Sequence, residues 1–388
     1  MTKYLDLLKK YAMLIVLVLV YVFFTVMTKG LMFSPLNFNA LITQNAYVFI
    51  LATGMLMCML TGGNIDLSCG SFVCFLGAMG GIMLEIYKWS TAMSIGGMLL
   101  IGLVYGSVLG FLVAYVDIPP WIATLAGYLA FRGLGTELLS ANSDTSSIPF
   151  PESFRKIFAG KIFSTSNKQL NLVCLGVGIA ACVIVVLVNV IGRINKLKKG
   201  YEAGSLIGMI VKCVLSVAVI MLFAVKLAHA GGIPTALVWV VAIVLLYSFI
   251  TAKTTLGRYF YTIGDNRETT RLSGVDTRKI MFLAYLNMAM LTVITSFITI
   301  SRTQAANAQA GTNYEMDAIA ACVVGGVSAY GGAGTVFGMV IGATLIGVIN
   351  LGMNLMGVDA DWQKIVKGGV LLGAVVFDII ASKKNATK

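Results

Sequence analysis

Apolar runs of about twenty residues recur from one end of the chain to the other. Each is long enough, as a helix, to cross a hydrocarbon layer about 30 Å thick. Only 11% of the 388 residues are charged, against roughly a quarter in a soluble domain, so water cannot be the main solvent of this chain. The expected fold is all-α: a polytopic transmembrane bundle of about 10–12 spans, forming one membrane-embedded domain over 1–388.

The candidate spans are 11–28, 41–61, 67–86, 92–116, 121–140, 171–192, 204–227, 233–252, 280–300, 316–330, 334–356 and 363–381. The first follows Lys3, Lys9 and Lys10, as a secretory signal would, but it is longer than the 7–15 apolar residues of a signal and lacks an Ala-x-Ala-like site, which favours a retained span. With both termini cytoplasmic, four clusters meet the positive-inside rule: the amino-terminal lysines, the linker 193–203 with Arg193, Lys196, Lys198 and Lys199, the loop 253–280, and Lys383, Lys384 and Lys388. The net charge of +12 is thereby read as topology, not as a nucleic-acid surface. The same orientation puts 141–170 and 301–315 outside, and 316–330 is short enough to be broken or re-entrant. Seven cysteines lie almost entirely within apolar runs and read as small hydrophobes; no metal site is expected.

The halves of the chain echo each other. NIDLSCGSFVCFLGAMGG around Asp66 and EMDAIAACVVGGVSAYGG around Asp317 share one offset, 251, for Asp66/Asp317 and Gly80-Gly81/Gly331-Gly332. The triplets Gly102/Gly106/Gly110 and Gly334/Gly338/Gly342 match at another. A pseudo-repeat of two bundles about a pathway is a common transporter plan. Glycines four apart also make a smooth helix face that lets backbones approach, which packing alone explains.

Asp66 is unusual. A charge at mid-bilayer costs at least about 2.5–3.5 kcal/mol on insertion scales, and TGGNIDLSCGS around it reads as a helix that breaks before another begins. Two roles stand for it: capping of the new helix, by Asp66 or Ser68, or contact with cargo or a gate. In the loop LGRYFYTIGDNRETTRLSGVDTRKI, a short amphipathic helix is expected between Asn266 and Ser273, capped by Asp265 or Asn266 and bounded by Gly264 and Gly274. It is either a solvated connector or a docking element for a cytoplasmic partner. There is no phosphate-binding G-x-x-x-x-G-K-[ST] loop and no nucleophile–base constellation; the single His229 has no clustered ligands. Acidic residues within spans are few, namely Asp66, Asp317, Glu137 and Asp378, which argues that energy comes from another subunit and not from ion coupling.

Four ordered motifs resemble the permease subunits of bacterial ABC importers for monosaccharides, the family of the ribose, galactose and xylose permeases. TGGNIDLSCGS is similar to that family's signature at Gly63, Asp66, Ser68, Gly70 and Ser71, although Asn64 and Ile65 separate the first glycine from the aspartate. DIPPWIATLAGYLAFRGL, IGDNRETTRLSGV with Thr269 and Thr270 where alanines are usual, and the block from EMDAIAACVVGG to WQKIVKG complete the likeness. The extra pair 204–252 resembles the xylose and multiple-monosaccharide permeases. The resemblance implies a transport subunit that is not itself an enzyme and binds no cofactor, with ATP and magnesium held by a partner ATPase. A second permease copy or homologue and an extracytoplasmic sugar-binding protein complete the implied assembly; exposure and polarity alone mark 141–170 and 301–315 as the loops expected to receive that protein. The coupling residues it implies are Gly264, Asn266, Glu268, Arg271, Ser273 and Gly274. A neutral sugar needs uncharged donors and acceptors along its route, and the candidates are Gln44, Asn45, Ser68, Thr124, Asn350 and Asn354, each of which helix-to-helix hydrogen bonding explains equally. A permease for a nucleoside, a branched-chain amino acid or a signalling furanose, and an ion-coupled carrier, are the competing classes.

Overall fold

The computed structural model describes residues 2–164, 170–201 and 205–386, with side chains from Met13 to Val376 outside those gaps. The side chains of Lys3, Lys9, Lys10, Asp378, Lys383 and Lys384, together with Lys388, lie outside the described residues. Each of the twelve expected spans is met by a helix: α1 (Thr2–Met27), α2 (Pro35–Leu60), α3 (Cys69–Gly81, prolonged by a π turn Ile82–Ile86), α4 (Thr91–Ala114), α5 (Pro120–Asn142), α7 (Leu172–Lys198), α8 (Leu206–His229), α9 (Thr235–Lys253), α12 (Thr277–Thr303), α13 (Tyr314–Val324), α14 (Val336–Leu355) and α15 (Ala360–Ala386). Outside them lie the short helices α6 (Glu152–Ala159), α10 (Thr255–Asp265) and α11 (Arg267–Leu272). Among the described residues, eight helices are long and apolar enough to cross a membrane; the protein is a multi-pass helical membrane protein.

Two compact units partition the chain. The larger comprises Met1–Met32, Leu41–Gly160 and Ala236–Lys388. The smaller comprises Phe33–Ala40 and Lys161–Thr235; in it α7 packs on α8, with Gly178 against Ala224, and β2 (Lys161–Ile162) pairs with β3 (Ile233–Pro234). Of the expected inserted pair 204–252, α8 belongs to the smaller unit and most of α9 to the larger.

In the larger unit, the glycine ridges do what their spacing implies. A Cβ at Gly102, Gly106 or Gly110 of α4 would run into Val293, Ala289 or Phe282 of α12. One at Gly338 or Gly342 of α14 would strike the carbonyls of Gly325 or Ala321, at the end of α13. Small residues thus let these pairs pack backbone to backbone, where dispersion between close surfaces substitutes for a hydrophobic drive that lipid does not supply. The two aspartates of the 251 offset take different positions relative to their helices. Asp66 lies three residues ahead of α3, whereas Asp317 lies in the first turn of α13.

The two expected outer loops meet. β1 (Ser147–Pro149) pairs antiparallel with β4 (Ala305–Asn307) in the register Ser147↔Asn307. Just beyond β1, α6 turns Phe154 and Phe158 inward onto Phe297 of α12, at ring separations of 5.9 and 4.8 Å. Phe154 is fully buried, so Phe154→Ala is expected to cost about 3–5 kcal/mol. It should lower the melting temperature in detergent and open the 150–160 segment to limited proteolysis while the helices stay intact.

Candidate functional site

The site is built where helices stop inside the bundle. After α2 ends at Leu60, the chain turns back: Asp66 N–H points to Met55 Sδ at 3.5 Å, more than a turn up the helix it has just left. Asp66 is 1% exposed. Its Oδ1 accepts from Ser68 N–H at 2.8 Å and from Ser68 Oγ at 2.6 Å, and Ser68 Oγ in turn accepts from Tyr105 Oη of α4 at 2.7 Å. Between the two expected caps the geometry selects Asp66; Ser68 occupies the cap position but its own side chain caps nothing. The carboxylate also faces the positive end of the α3 dipole, which compensates part of its burial. Gly63, at φ +73°, lies against the Ala329 carbonyl, where any side chain would collide. Gly70 packs on the Glu315 carboxylate and the Gly311 carbonyl, and Ser71 Oγ is buried without a hydrogen bond.

The facing half is set by α13, a helix of 11 residues that ends in a non-helical segment before α14, as a broken element should. Asp317, in its first turn, is 2% exposed and carries the densest set of donors in the site. Lys367 of α15 reaches Oδ1 at 3.0 Å and Oδ2 at 3.1 Å. Tyr47 Oη donates to Oδ2 at 2.5 Å, Asn350 Nδ2 does so at 3.3 Å, and the Tyr47 ring stacks on Tyr314 at 3.5 Å. Asn350 also reaches Asn45 Oδ1 at 3.3 Å, and Asn45 donates to the Leu41 carbonyl. Two of the pathway candidates therefore belong to one buried network. The others do not: Thr124 donates to the Pro120 carbonyl of its own helix, Asn354 is exposed and accepts from Gln363, and Gln44 is half-buried. Neighbouring Glu315 is 2% exposed, with Oε2 unpartnered. Arg132 of α5 holds the incoming strand by its Ala308 and Ala310 carbonyls at 3.0 and 3.1 Å.

Tyr47, Tyr105, Arg132, Glu315 and Lys367 escaped the sequence reading as site residues. The available signal was charge itself, since Arg132 and Lys367 are cations within the expected spans 121–140 and 363–381.

On the loop side, α11 forms over Arg267–Leu272. Asn266, not Asp265, caps it, its Oδ1 accepting from Thr269 N–H at 2.9 Å. Gly274, at φ +89°, ends it. Thr270 is buried and donates to the Thr262 and Asn266 carbonyls at 2.8 and 2.9 Å, which fastens α11 to α10. Ser273 Oγ closes the last turn on the Thr270 carbonyl. Glu268 and Arg271 are exposed and paired at 2.5 and 3.0 Å; the hydrogen bonds from Arg271 hold the Glu268 carboxyl below its usual range. Gly264 presses on the Leu60 carbonyl and on Gly332 N–H, so the base of the peg is wedged between the end of α2 and the turn after α13.

Because Lys367→Met would strand the Asp317 carboxylate, whose side chain is 3% exposed, it is expected to cost roughly 3–5 kcal/mol, nearer the lower end because Tyr47 and Asn350 still donate to it. The double variant Lys367→Met/Asp317→Asn should recover most of that loss in thermal melts of the purified protein.

Comparison with known proteins places this architecture. The family model described as "Branched-chain amino acid transport system / permease component" matches residues 37–375. The xylose transport system permease protein XylH of Haemophilus influenzae is 36% identical over 97% of this chain and 98% of its own length. XylH of Escherichia coli K12 is 32% identical over 97% and 93%, and the ribose import permease protein RbsC of the same strain is 30% identical over 89% and 86%. No solved structure matches the chain significantly. With broken helices meeting inside an apolar bundle and a glycine-bounded peg on a loop, matched to that family over most of its length, the chain belongs to the branched-chain amino acid transport system / permease component family.

Proposed function

We propose that this chain is the membrane-spanning permease subunit of an ATP-driven importer for a monosaccharide, lying in a bacterial cytoplasmic membrane with both termini inside. The observation that carries the reading is the near full-length likeness to the xylose permeases, at 36% identity over 97% of the chain. The geometry supports the division of labour. In the proposed assembly ATP and magnesium are held by a partner ATPase, and this chain converts that partner's motion into access.

The peg α11 is the element for that partner. It offers an exposed Glu268–Arg271 pair and an exposed Leu272 on a helix whose buried Thr270 fixes it to α10. Its base contacts both the end of α2 and the turn after α13 through Gly264. A displacement of the peg is therefore applied to both broken helices at once. Outside, the β1–β4 ribbon joins Ser147–Pro149 of one expected loop to Ala305–Asn307 of the other, which supports a docking site for a sugar-binding protein that draws on both loops. A second copy or a homologue completes the pathway. Gln44, Asn45, Ser68, Thr124, Asn350 and Asn354 remain the proposed polar lining, with Asp66 fixing the backbone beside it.

A branched-chain amino acid is the competing cargo, favoured by the family's own description. Proteoliposomes holding the chain with its ATPase and binding protein decide the matter. ATP-dependent uptake of labelled xylose or ribose, not displaced by leucine, is the expected result. Uptake of leucine instead, or accumulation by this chain alone without nucleotide, would overturn it. Asn266→Ala removes the peg's cap, worth about 1 kcal/mol, and should reduce both ATPase co-purification and uptake.

A further inference from the structure

We infer that Asp117 is a positioning residue that ties the peg to the α4–α5 turn, making α5 a strut from the cytoplasmic loop to the outer ribbon. The inference rests on the proposed function and concerns how peg motion is delivered. Asp117 sits in the short link between α4, ending at Ala114, and α5, starting at Pro120. Its φ is +58°, a left-handed conformation that aspartate and asparagine tolerate better than most residues. That bend presents one carboxylate to two cations. Arg267 Nη2, on the first residue of α11, lies 3.3 Å from Oδ1, and Arg278 Nη2, at the start of α12, lies 3.7 Å from Oδ2. Both ends of the peg segment are thus held by a single residue from a different helical pair. The neighbouring acids are already engaged: Glu268 binds Arg271, and Asp276 accepts from Lys279 N–H at 3.0 Å.

Two clefts flank the link. Asp117, Arg267, Arg271 and Arg278 line one of about 700 Å³. The other lies among Asn64, Pro119, Pro120 and Asn266, so the same turn also borders the break after α2. Beyond the link α5 begins with proline at its first position, where the fixed φ suits a helix start. At its far part Arg132 grips the Ala308 and Ala310 carbonyls beside β4. The α5 segment therefore has an ionic contact to the peg through the link at its inner end and, further along, hydrogen bonds to the turn that directly follows the outer strand β4.

Side chains in both bridges are about half exposed, so they contribute little to folding. This makes substitution a probe of transmission and not of stability. In proteoliposomes containing the whole assembly, Asp117→Asn keeps the left-handed preference and removes the charge. Solute moved per ATP hydrolysed is expected to fall about fivefold or more, with unchanged ATPase bound per permease, and Asp117→Glu should restore at least half of it. In an Arg267→Gln/Arg278→Gln background, Asp117→Asn should have no further effect. The inference is overturned by a wild-type ratio in Asp117→Asn, by an equal loss in the arginine-less background, or by loss of ATPase binding. Failure of the wild-type chain to bind any ATPase would instead sink the proposed function.

Discussion

Backbone that leaves helical form inside an apolar bundle must find its hydrogen bonds within the protein, because lipid offers none. Here one bond answers that demand for both halves. Gly332 N–H, in the turn after α13, donates to the Leu60 carbonyl at the end of α2 at 3.1 Å. Gly63 accepts the close approach of Ala329 beside it, and Gly264 of the loop closes on the same pair. The break after α2, the turn after α13 and the base of the peg are consequently one packed knot of glycines. A side chain at Gly63 or Gly264 would run into the Ala329 or Leu60 carbonyl and drive these segments apart.

Charge obeys the same accounting, and three buried carboxylates meet it in three ways. Asp66 uses local donors, the Ser68 amide and hydroxyl, at the positive end of α3. Asp317 uses distant ones, with Lys367, Tyr47 and Asn350 arriving from three other helices. Glu315 keeps one oxygen unpartnered against Gly70. The first solution fixes a backbone turn; the second clasps α2, α13, α14 and α15 together. Among its described residues α15 is largely exposed, and it is attached to the bundle by that lysine together with Leu371, Ala374 and Val375, which pack against the core.

What was legible in the sequence follows from range. Helix existence was readable because twenty-residue apolar runs permit little else, and the glycine spacing foretold which faces approach. The peg was bounded by its own residues, Asn266 and Gly274, so it too was local. The β1–β4 ribbon was not, since it joins strands more than 150 residues apart, with no pattern in either to name the other. Nor was the Asp317–Lys367 pair, for the sequence marks two charges but not their meeting. For Thr124 and Asn354 polar type was legible but their partners were not: Thr124 donates to its own helix's carbonyl, and Asn354 accepts from Gln363. The matched offset did not reveal that Asp66 falls before its helix and Asp317 inside the first turn of its own.

Asn266 is both the last cap of α10 and the first cap of α11, extended at φ −161° between two helical neighbours. The whole change of direction between these helices is concentrated in a single pair of torsions. Such an elbow would be a soft hinge were it not for Thr270, whose hydroxyl donates to the Thr262 and Asn266 carbonyls across it and stiffens the joint. Evolution can retune the stiffness of this lever by altering one position, without redrawing either arm.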